Sequence, residues 1–237
     1  MYFTQVYRLH AVIHTKQEFS RKGGAPSRGS LAAGAARAIA EMQMAPVDKG
    51  LWAQMPVHIR DRAIAKMRVC PFPAGEAIIQ QNTIGTAMYF LDNGSAAADV
   101  DGSIVNTFAA GDFFGEVSFV ATAASLLEGN GDSPEIRRTA TVTASEPCRC
   151  LELGVKDLFD IFRDDADALK SLLRMLAQCA DARIASAAEI SNGKRLIAGR
   201  EQIAKAARTL SSDCAARQVQ AAVQSVQDGD RVLLAFM

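Results

Sequence analysis

Apolar residues recur with a helical period in the stretch 57–68, where Ile59, Ala63, Ile64 and Met67 are separated by charged side chains. Positions three and four apart share one face of a helix, so the pattern predicts an amphipathic helix at Val57–Arg68.

Between residues 69 and 154 the pattern changes to short apolar runs separated by Gly, Asn and Asp. Short runs bounded by turn residues are typical of strands. Asn93-Gly94 and Asp101-Gly102 carry the sequence signal of tight β-hairpins. Many short strands with frequent turns predict an antiparallel β jelly-roll barrel. The predicted strands are Ala77–Gln80, Ala87–Leu91, Ala96–Val100, Ile104–Phe108, Thr139–Ala144 and Arg149–Leu153.

Helical periodicity returns in Val155–Phe162 and Leu169–Leu176, and an Ala-rich helical pattern continues to about Gln227. Asn192-Gly193 and the stretch 211–213 are expected interruptions. The whole pattern predicts an α+β chain, a β jelly-roll barrel flanked by helices. The expected domains are an N-terminal extension and linker at 1–49, the β domain at 50–176 and an Ala-rich helical extension at 177–237.

Charge and hydropathy narrow the possible partners and location. The chain has 26 basic and 26 acidic residues, but the stretch 51–165 has nine basic and sixteen acidic ones. An acidic middle argues against a broad nucleic-acid groove there, because phosphate backbones are bound by clustered Lys and Arg. Neither a membrane span nor a secretory signal is recognisable. We therefore expect a cytoplasmic protein.

The cysteines and histidines indicate neither a metal site nor catalysis. The five cysteines follow no disulfide or zinc spacing, and Cys148 and Cys150 are typical of packed strand residues. His10, His14 and His58 are scattered, and the motifs of common enzyme classes are missing. We expect no enzyme activity, no metal and no cofactor.

The segment 111–119, followed by the segment 137–142, has residues suited to a sugar phosphate. Gly115 permits a close backbone approach, and a helix that begins after it would point free N–H groups at an anion. Arg138 can hold a phosphate with two parallel hydrogen bonds. Glu116 can accept a hydrogen bond from a sugar hydroxyl.

Phe114-Gly115-Glu116-Val117-Ser118, followed by Arg138-Thr139-Ala140-Thr141, resembles the phosphate-binding cassette of cyclic-nucleotide-binding domains. Such domains regulate cyclic-nucleotide-dependent kinases and cyclic-nucleotide-gated channels. The resemblance implies that the segment 50–176 binds cAMP or cGMP, with Arg138 on the phosphate and Glu116 on the ribose 2′-hydroxyl. The residues expected to bind the ligand are Phe114, Gly115, Glu116, Val117, Ser118, Arg138, Thr139 and Ala140.

Thr139 leaves two interpretations open. In family members that accept cGMP, a Thr after the Arg can hydrogen-bond to the guanine. The alternative is a plain β-branched strand residue, and cAMP is equally compatible with the sequence.

The spacing departs from the family pattern, since Glu116 and Arg138 are 22 positions apart and the family has them closer together. The extra stretch, 123–135, has loop composition and brings Glu128, Asp132 and Glu135 near an anion site, which would weaken binding.

We expect a sensor whose ligand draws in Val155–Phe162 and uses Leu169–Leu176 as a lid, with an effector protein or domain on the terminal helices. A structural Glu116–Arg138 ion pair in a degenerate, non-binding scaffold is the alternative. A catabolite-activator-like transcription regulator is a further one, with a helix-turn-helix opening at Arg200–Ala204.

Overall fold

Two antiparallel β-sheets and five helices make up the part of the chain that the structure describes. The structure is a computed structural model and describes residues 55–128 and 135–211. The strands are β1 Arg68–Phe72, β2 Ala77–Ile79, β3 Ala87–Asn93, β4 Ser95–Val100, β5 Ser103–Ala109, β6 Phe113–Phe114, β7 Thr141–Ala144 and β8 Cys148–Gly154. The helices are α1 Val57–Lys66, α2 Glu116–Leu127, α3 Val155–Ile161, α4 Ala166–Ile190 and α5 Lys194–Ser211.

The eight strands form two four-stranded sheets with the orders β1-β8-β3-β6 and β2-β7-β4-β5. Buried side chains of both sheets belong to one apolar cluster, so the sheets pack face to face. The rings of Phe108 and Phe114, one from each sheet, lie with centroids 5.0 Å apart. The predicted α+β fold, an antiparallel jelly roll flanked by helices, is confirmed. The clustered residues are Ile78, Ile79, Leu91, Ala96, Ala98, Phe108, Phe114, Val142, Ala144, Cys148 and Cys150.

The two predicted hairpin turns have different outcomes. Asp101 and Gly102 have φ values of 52° and 89°, and they join β4 to β5 in a hairpin in which Val100 pairs with Ser103. That prediction is confirmed.

The prediction of a hairpin at Asn93-Gly94 is wrong. β3 pairs with β6 and β8, whereas β4 pairs with β5 and β7, so Gly94 leads the chain from one sheet to the other. Gly94 has a φ of 94°, and a Cβ there would lie 2.6 Å from the carbonyl oxygen of Pro147. A corner and a tight hairpin both need a residue of positive φ, which is why the local sequence does not separate them.

Two strands were not predicted, and one begins later than expected. β1 contains Pro71 and lies at a sheet edge, the position in a sheet where proline is tolerated. β6 has only two residues. β7 begins at Thr141 rather than Thr139, because the Arg138 N–H donates to the Thr83 carbonyl and its own carbonyl accepts from the Asn82 N–H. The backbone of Arg138 is thus fixed by a loop outside the ladder.

The insertion predicted as a loop at 123–135 is partly helical. α2 continues to Leu127, and Ala123, Ala124 and Leu127 are buried. Its apolar residues pack against α4 and α5, which stabilises helix where composition favoured a loop. Residues 129–134 lie outside the described part of the chain.

α4 begins at the N-cap Asp165, whose side chain accepts from the Ala168 N–H, and it continues for 25 residues to Ile190. It runs without a break through the predicted domain boundary at 176, which stays a prediction. The interruption expected at Asn192-Gly193 separates α4 from α5 and is confirmed. Arg200–Ala204 lies inside α5, so these residues do not open a new helix.

The two strand cysteines are packed as expected. Cys148 and Cys150 are free thiols in the apolar cluster between the sheets, and burial raises the pKa of Cys150 to about 12. Such a thiol stays protonated and unreactive at neutral pH. The extension 1–49 and Cys214 lie outside the described residues. Among the described residues, no helix is long and apolar enough to cross a membrane.

The first prediction concerns the carboxylate that joins α2 to α5. Glu128 accepts from the Thr209 hydroxyl and lies 2.9 Å from the Lys205 ammonium, and these two contacts hold its pKa below the usual value of 4.5. A depressed carboxyl pKa stabilises the folded state above the unfolded-state value, and this contribution is lost as the pH falls through the folded-state value. Urea unfolding should therefore show that Glu128→Gln lowers stability at pH 7 but has little effect below the folded-state pKa. The same loss at both pH values would contradict the ionic contact.

Candidate ligand-binding site

A cavity opens where the start of α2, the segment 138–142 and strands β4 and β5 meet the ends of α4 and α5. It encloses about 570 Å³ of empty space, part of it open to solvent. All eight residues expected from the sequence line it, namely Phe114, Gly115, Glu116, Val117, Ser118, Arg138, Thr139 and Ala140.

Gly115 forms the N-cap of α2 with a φ of 85°, which L-residues rarely adopt. A Cβ at this position would lie 2.8 Å from Arg138 Nη1 and 3.0 Å from Ile79 Cδ1. No side chain caps the first turn of α2. Its leading N–H groups have no intrahelical partner, so they can bind an anion.

Arg138 is only 6% exposed, and neutral groups accept its hydrogen bonds. Nη1 donates to the Gly115 carbonyl at 3.0 Å and to the Ser118 hydroxyl at 2.8 Å. Nη2 donates to the Ala87 carbonyl at 2.7 Å. Burial lowers the pKa of the guanidinium, and Tyr89, Glu116 and Glu152 partly offset this. Within the described ranges no carboxylate lies within ion-pair distance of Arg138.

Glu116 pairs with Arg183, a residue of α4 that was not among the residues expected to bind the ligand. The carboxylate is 3% exposed, and its Oε2 lies 3.2 Å from Arg183 Nη1. The Glu116–Arg138 ion pair considered as an alternative is therefore not formed. Arg183 also donates to the Phe113 carbonyl at 2.7 Å, and its guanidinium lies over the Phe113 ring at 4.5 Å. This cation–π contact and the hydrogen bond fix α4 beside the site.

Gly85 is a second site residue that was not expected. A Cβ there would lie 2.1 Å from Ser118 Oγ and 2.8 Å from Arg138 Nε, so a side chain would not fit. The Gly85 carbonyl also accepts from the buried Thr122 hydroxyl at 3.0 Å. The loop of Gly85 thereby packs directly behind the guanidinium.

The segment expected to act as a lid does not line the cavity. Leu169–Leu176 is the buried start of α4 and does not line the cavity. The helical wall comes instead from Arg183, Ile184 and Ala187 near the end of α4, together with Leu196 of α5. The helical period of apolar residues in 169–176 arises because this side of α4 packs against the rest of the protein. A helix that covers a ligand would have the same period, so the sequence pattern does not separate the two.

Residues 69–165 match the family model of the cyclic nucleotide-binding domain. This segment belongs to that family. In the described part of the chain, no cluster of three or more His, Cys, Asp or Glu residues could hold a metal ion.

Two curated relatives match part of this chain. Human potassium/sodium hyperpolarization-activated cyclic nucleotide-gated channel 4 is 31% identical over 101 residues, which are 43% of this chain and 7% of the channel. The cGMP-dependent protein kinase of Eimeria tenella is 32% identical over 89 residues, which are 38% of this chain and 8% of the kinase. The chain thus spans less than a tenth of either relative's length.

Two solved structures are similar in fold. The cAMP-bound PfPKA-R fragment 141–441 has a TM-score of 0.46 and 21% identity, with 63% of this chain and 46% of that one covered. The catabolite activator protein of Thermus thermophilus has a TM-score of 0.43 and 22% identity, with 59% of each chain covered.

The second prediction tests the crowding around Gly115. Gly115→Ala should lower the free energy of unfolding by more than Gly102→Ala, in which the new Cβ meets nothing within 4 Å. Both positions have a positive φ, so both variants carry the backbone strain of about 1–2 kcal/mol. The additional loss in Gly115→Ala measures the contact with Arg138, and urea denaturation gives both values. Equal losses would show that the guanidinium can move aside.

Proposed function

We propose that this domain binds cAMP or cGMP and transmits the binding to the helices α4 and α5. On this proposal the chain is a cytoplasmic regulatory module rather than an enzyme. The family match and the location of the eight expected residues in one cavity support it.

The observation that carries the proposal is the buried charge of Arg138. A charge removed from water is costly unless an opposite charge compensates it. Here the guanidinium has carbonyl and hydroxyl partners but no ion-pair partner within the described ranges, and it faces an open cavity. Its three hydrogen bonds use three of the five N–H donors of a guanidinium. A phosphate would supply the missing negative charge.

The groups around Arg138 fit the rest of a sugar phosphate. The first turn of α2 adds uncapped N–H groups and the positive end of a helix dipole. The ion pair of Glu116 with Arg183 uses Oε2, which leaves Oε1 for a ribose hydroxyl. The remaining wall is largely apolar and suits a purine, with Val100, Val105, Ala140 and Leu196 among its residues.

The helical wall of the cavity provides a route by which ligand binding would change the positions of α4 and α5. A ligand that touches Arg183, Ile184 and Leu196 interacts with α4 and α5 directly. A ligand shifts a conformational equilibrium only by its difference in affinity for the two states. Contacts on these helices would provide that difference, and an effector would then respond to the helices.

A non-binding scaffold is the second candidate, and one observation favours it. Arg138 already donates three hydrogen bonds inside the protein, and Arg183 already occupies one oxygen of Glu116. Titration with both cyclic nucleotides decides between the two functions, because a scaffold would release no heat of binding with either.

The third prediction tests the phosphate assignment. Calorimetry should show that Arg138→Ala loses about 2–5 kcal/mol of binding free energy, the range for removing one member of a buried charge pair. Arg138→Lys should recover only part of it, since an ammonium has no two-pronged donor geometry. Arg137→Ala is the matched control, because the neighbouring Arg137 contacts Asn82 and Glu135 at the surface. A dissociation constant that is unchanged in Arg138→Ala would refute the assignment.

The fourth prediction tests whether Thr139 contacts guanine. Its hydroxyl makes no hydrogen bond among the described residues, although the side chain lines the cavity. Thr139→Val keeps the branched shape and removes only the hydroxyl. One net hydrogen bond is worth about 0.5–1.5 kcal/mol, so cGMP affinity should fall roughly two- to tenfold while cAMP affinity stays constant. Equal effects on both ligands would leave Thr139 a structural residue.

A further inference from the structure

α5 lies directly against residues that line the cavity, and Gly199 is the point of closest approach. Gly199 is buried, and a Cβ built on it would lie 2.5 Å from Thr139 Cγ2. The same Cβ would lie 3.5 Å from Ile184 Cδ1 and 3.6 Å from Val117 Cγ1. The backbone of α5 therefore packs on Thr139 with no room for a side chain between them.

Further contacts hold α5 in this position at both of its ends. Leu196, one turn before Gly199, is buried and forms part of the cavity wall. At the far end, Lys205 and Thr209 contact Glu128 at the end of α2, and the Leu210 carbonyl accepts from Arg174 Nε. α5 thus lies along α2 from Val117 to Glu128, and α2 provides part of its docking surface.

The packing also determines which way Thr139 faces. The methyl carbon Cγ2 is the atom of Thr139 nearest to Gly199. A β-branched side chain has few χ1 positions, so a fixed methyl group fixes the hydroxyl as well. That hydroxyl makes no hydrogen bond within the described ranges, so it is available to a ligand.

We propose that Gly199 is a positioning residue for the ligand site, acting through Thr139, and that docked α5 forms part of that site. The inference rests on the proposed function. When α5 undocks, Thr139 loses the surface that orients it and Leu196 leaves the cavity wall. Because coupling between two binding events is reciprocal, a bound nucleotide also stabilises the docking of α5.

The test adds a methyl group at Gly199 and then removes one from its neighbour. Gly199→Ala should weaken cGMP binding by about tenfold, within the range for overpacking a filled contact. Alanine is the better helix former, so the loss would come from the contact and not from the helix. Thr139→Ser removes Cγ2 but keeps the hydroxyl. The double variant Gly199→Ala with Thr139→Ser should therefore recover most of the affinity that Gly199→Ala loses, because the clash with Cγ2 is removed.

Arg200→Ala is the matched control, since this neighbour of Gly199 on α5 is exposed. Its affinity should equal that of the wild type. Wild-type affinity in Gly199→Ala, or an affinity of the double variant as low as that of Gly199→Ala, would overturn the proposal. If Gly199→Ala does not fold, Lys205→Ala loosens α5 from its far end without touching the cassette. It should then weaken binding several-fold, and no change would count against the coupling.

Hydrogen exchange without ligand separates this proposal from the proposed function. Amide protection in 194–211 should fall in Gly199→Ala and return in the double variant, whether or not the wild type binds a nucleotide. Protection that is the same in all three proteins would overturn the contact itself. If the wild type binds neither cAMP nor cGMP, but the two variants show this loss and recovery of protection, the proposed function is refuted and the docking of α5 on Thr139 still holds.

Discussion

The enclosure of the Arg138 guanidinium by neutral groups is the constraint on which the architecture of the site depends. A positive charge with 6% exposure needs acceptors on several sides, and here they come from two elements. β3 supplies the Ala87 carbonyl, and the start of α2 supplies the Gly115 carbonyl and the Ser118 hydroxyl. The glycine at position 85 is explained by the same constraint, because it leaves the space that the guanidinium and Ser118 occupy.

The segment that matches the family model and the two helices that follow it meet at the cavity. α4 reaches the cassette through the pair of Arg183 with Glu116, and α5 reaches it through Gly199 on Thr139. α2 continues to Leu127 within the 22 positions that separate Glu116 from Arg138, and α5 packs on it. Gly115, Glu116 and Arg138 nevertheless line the same cavity.

The shared location of the cassette residues could be predicted from sequence because their chemistry lies in two short segments. A glycine before a helix and an arginine before a strand are local signals with a direct physical meaning. Arg183 could not be predicted, since it is 67 positions from Glu116 and is surrounded by alanines that give no directional pattern. Gly199 resembled any helix glycine until the packing of α5 on Thr139 was known. The hairpin predicted at Asn93-Gly94 was wrong for a different reason. A glycine of positive φ occurs both in a tight hairpin and in a corner between sheets, so the residue type does not separate them.

The corner at Gly94 also bears on how the chain folds. Because β3 and β4 enter different sheets, β3 pairs mainly with β8, and β1 pairs with β8 as well. Cys70 pairs with Cys150 and Met88 with Leu153, so these contacts join positions 80 and 65 residues apart. Such non-local pairing raises contact order and slows folding. During synthesis, β1 and β3 leave the ribosome well before β8, and their edges stay unpaired for that interval, when association with other chains is most damaging.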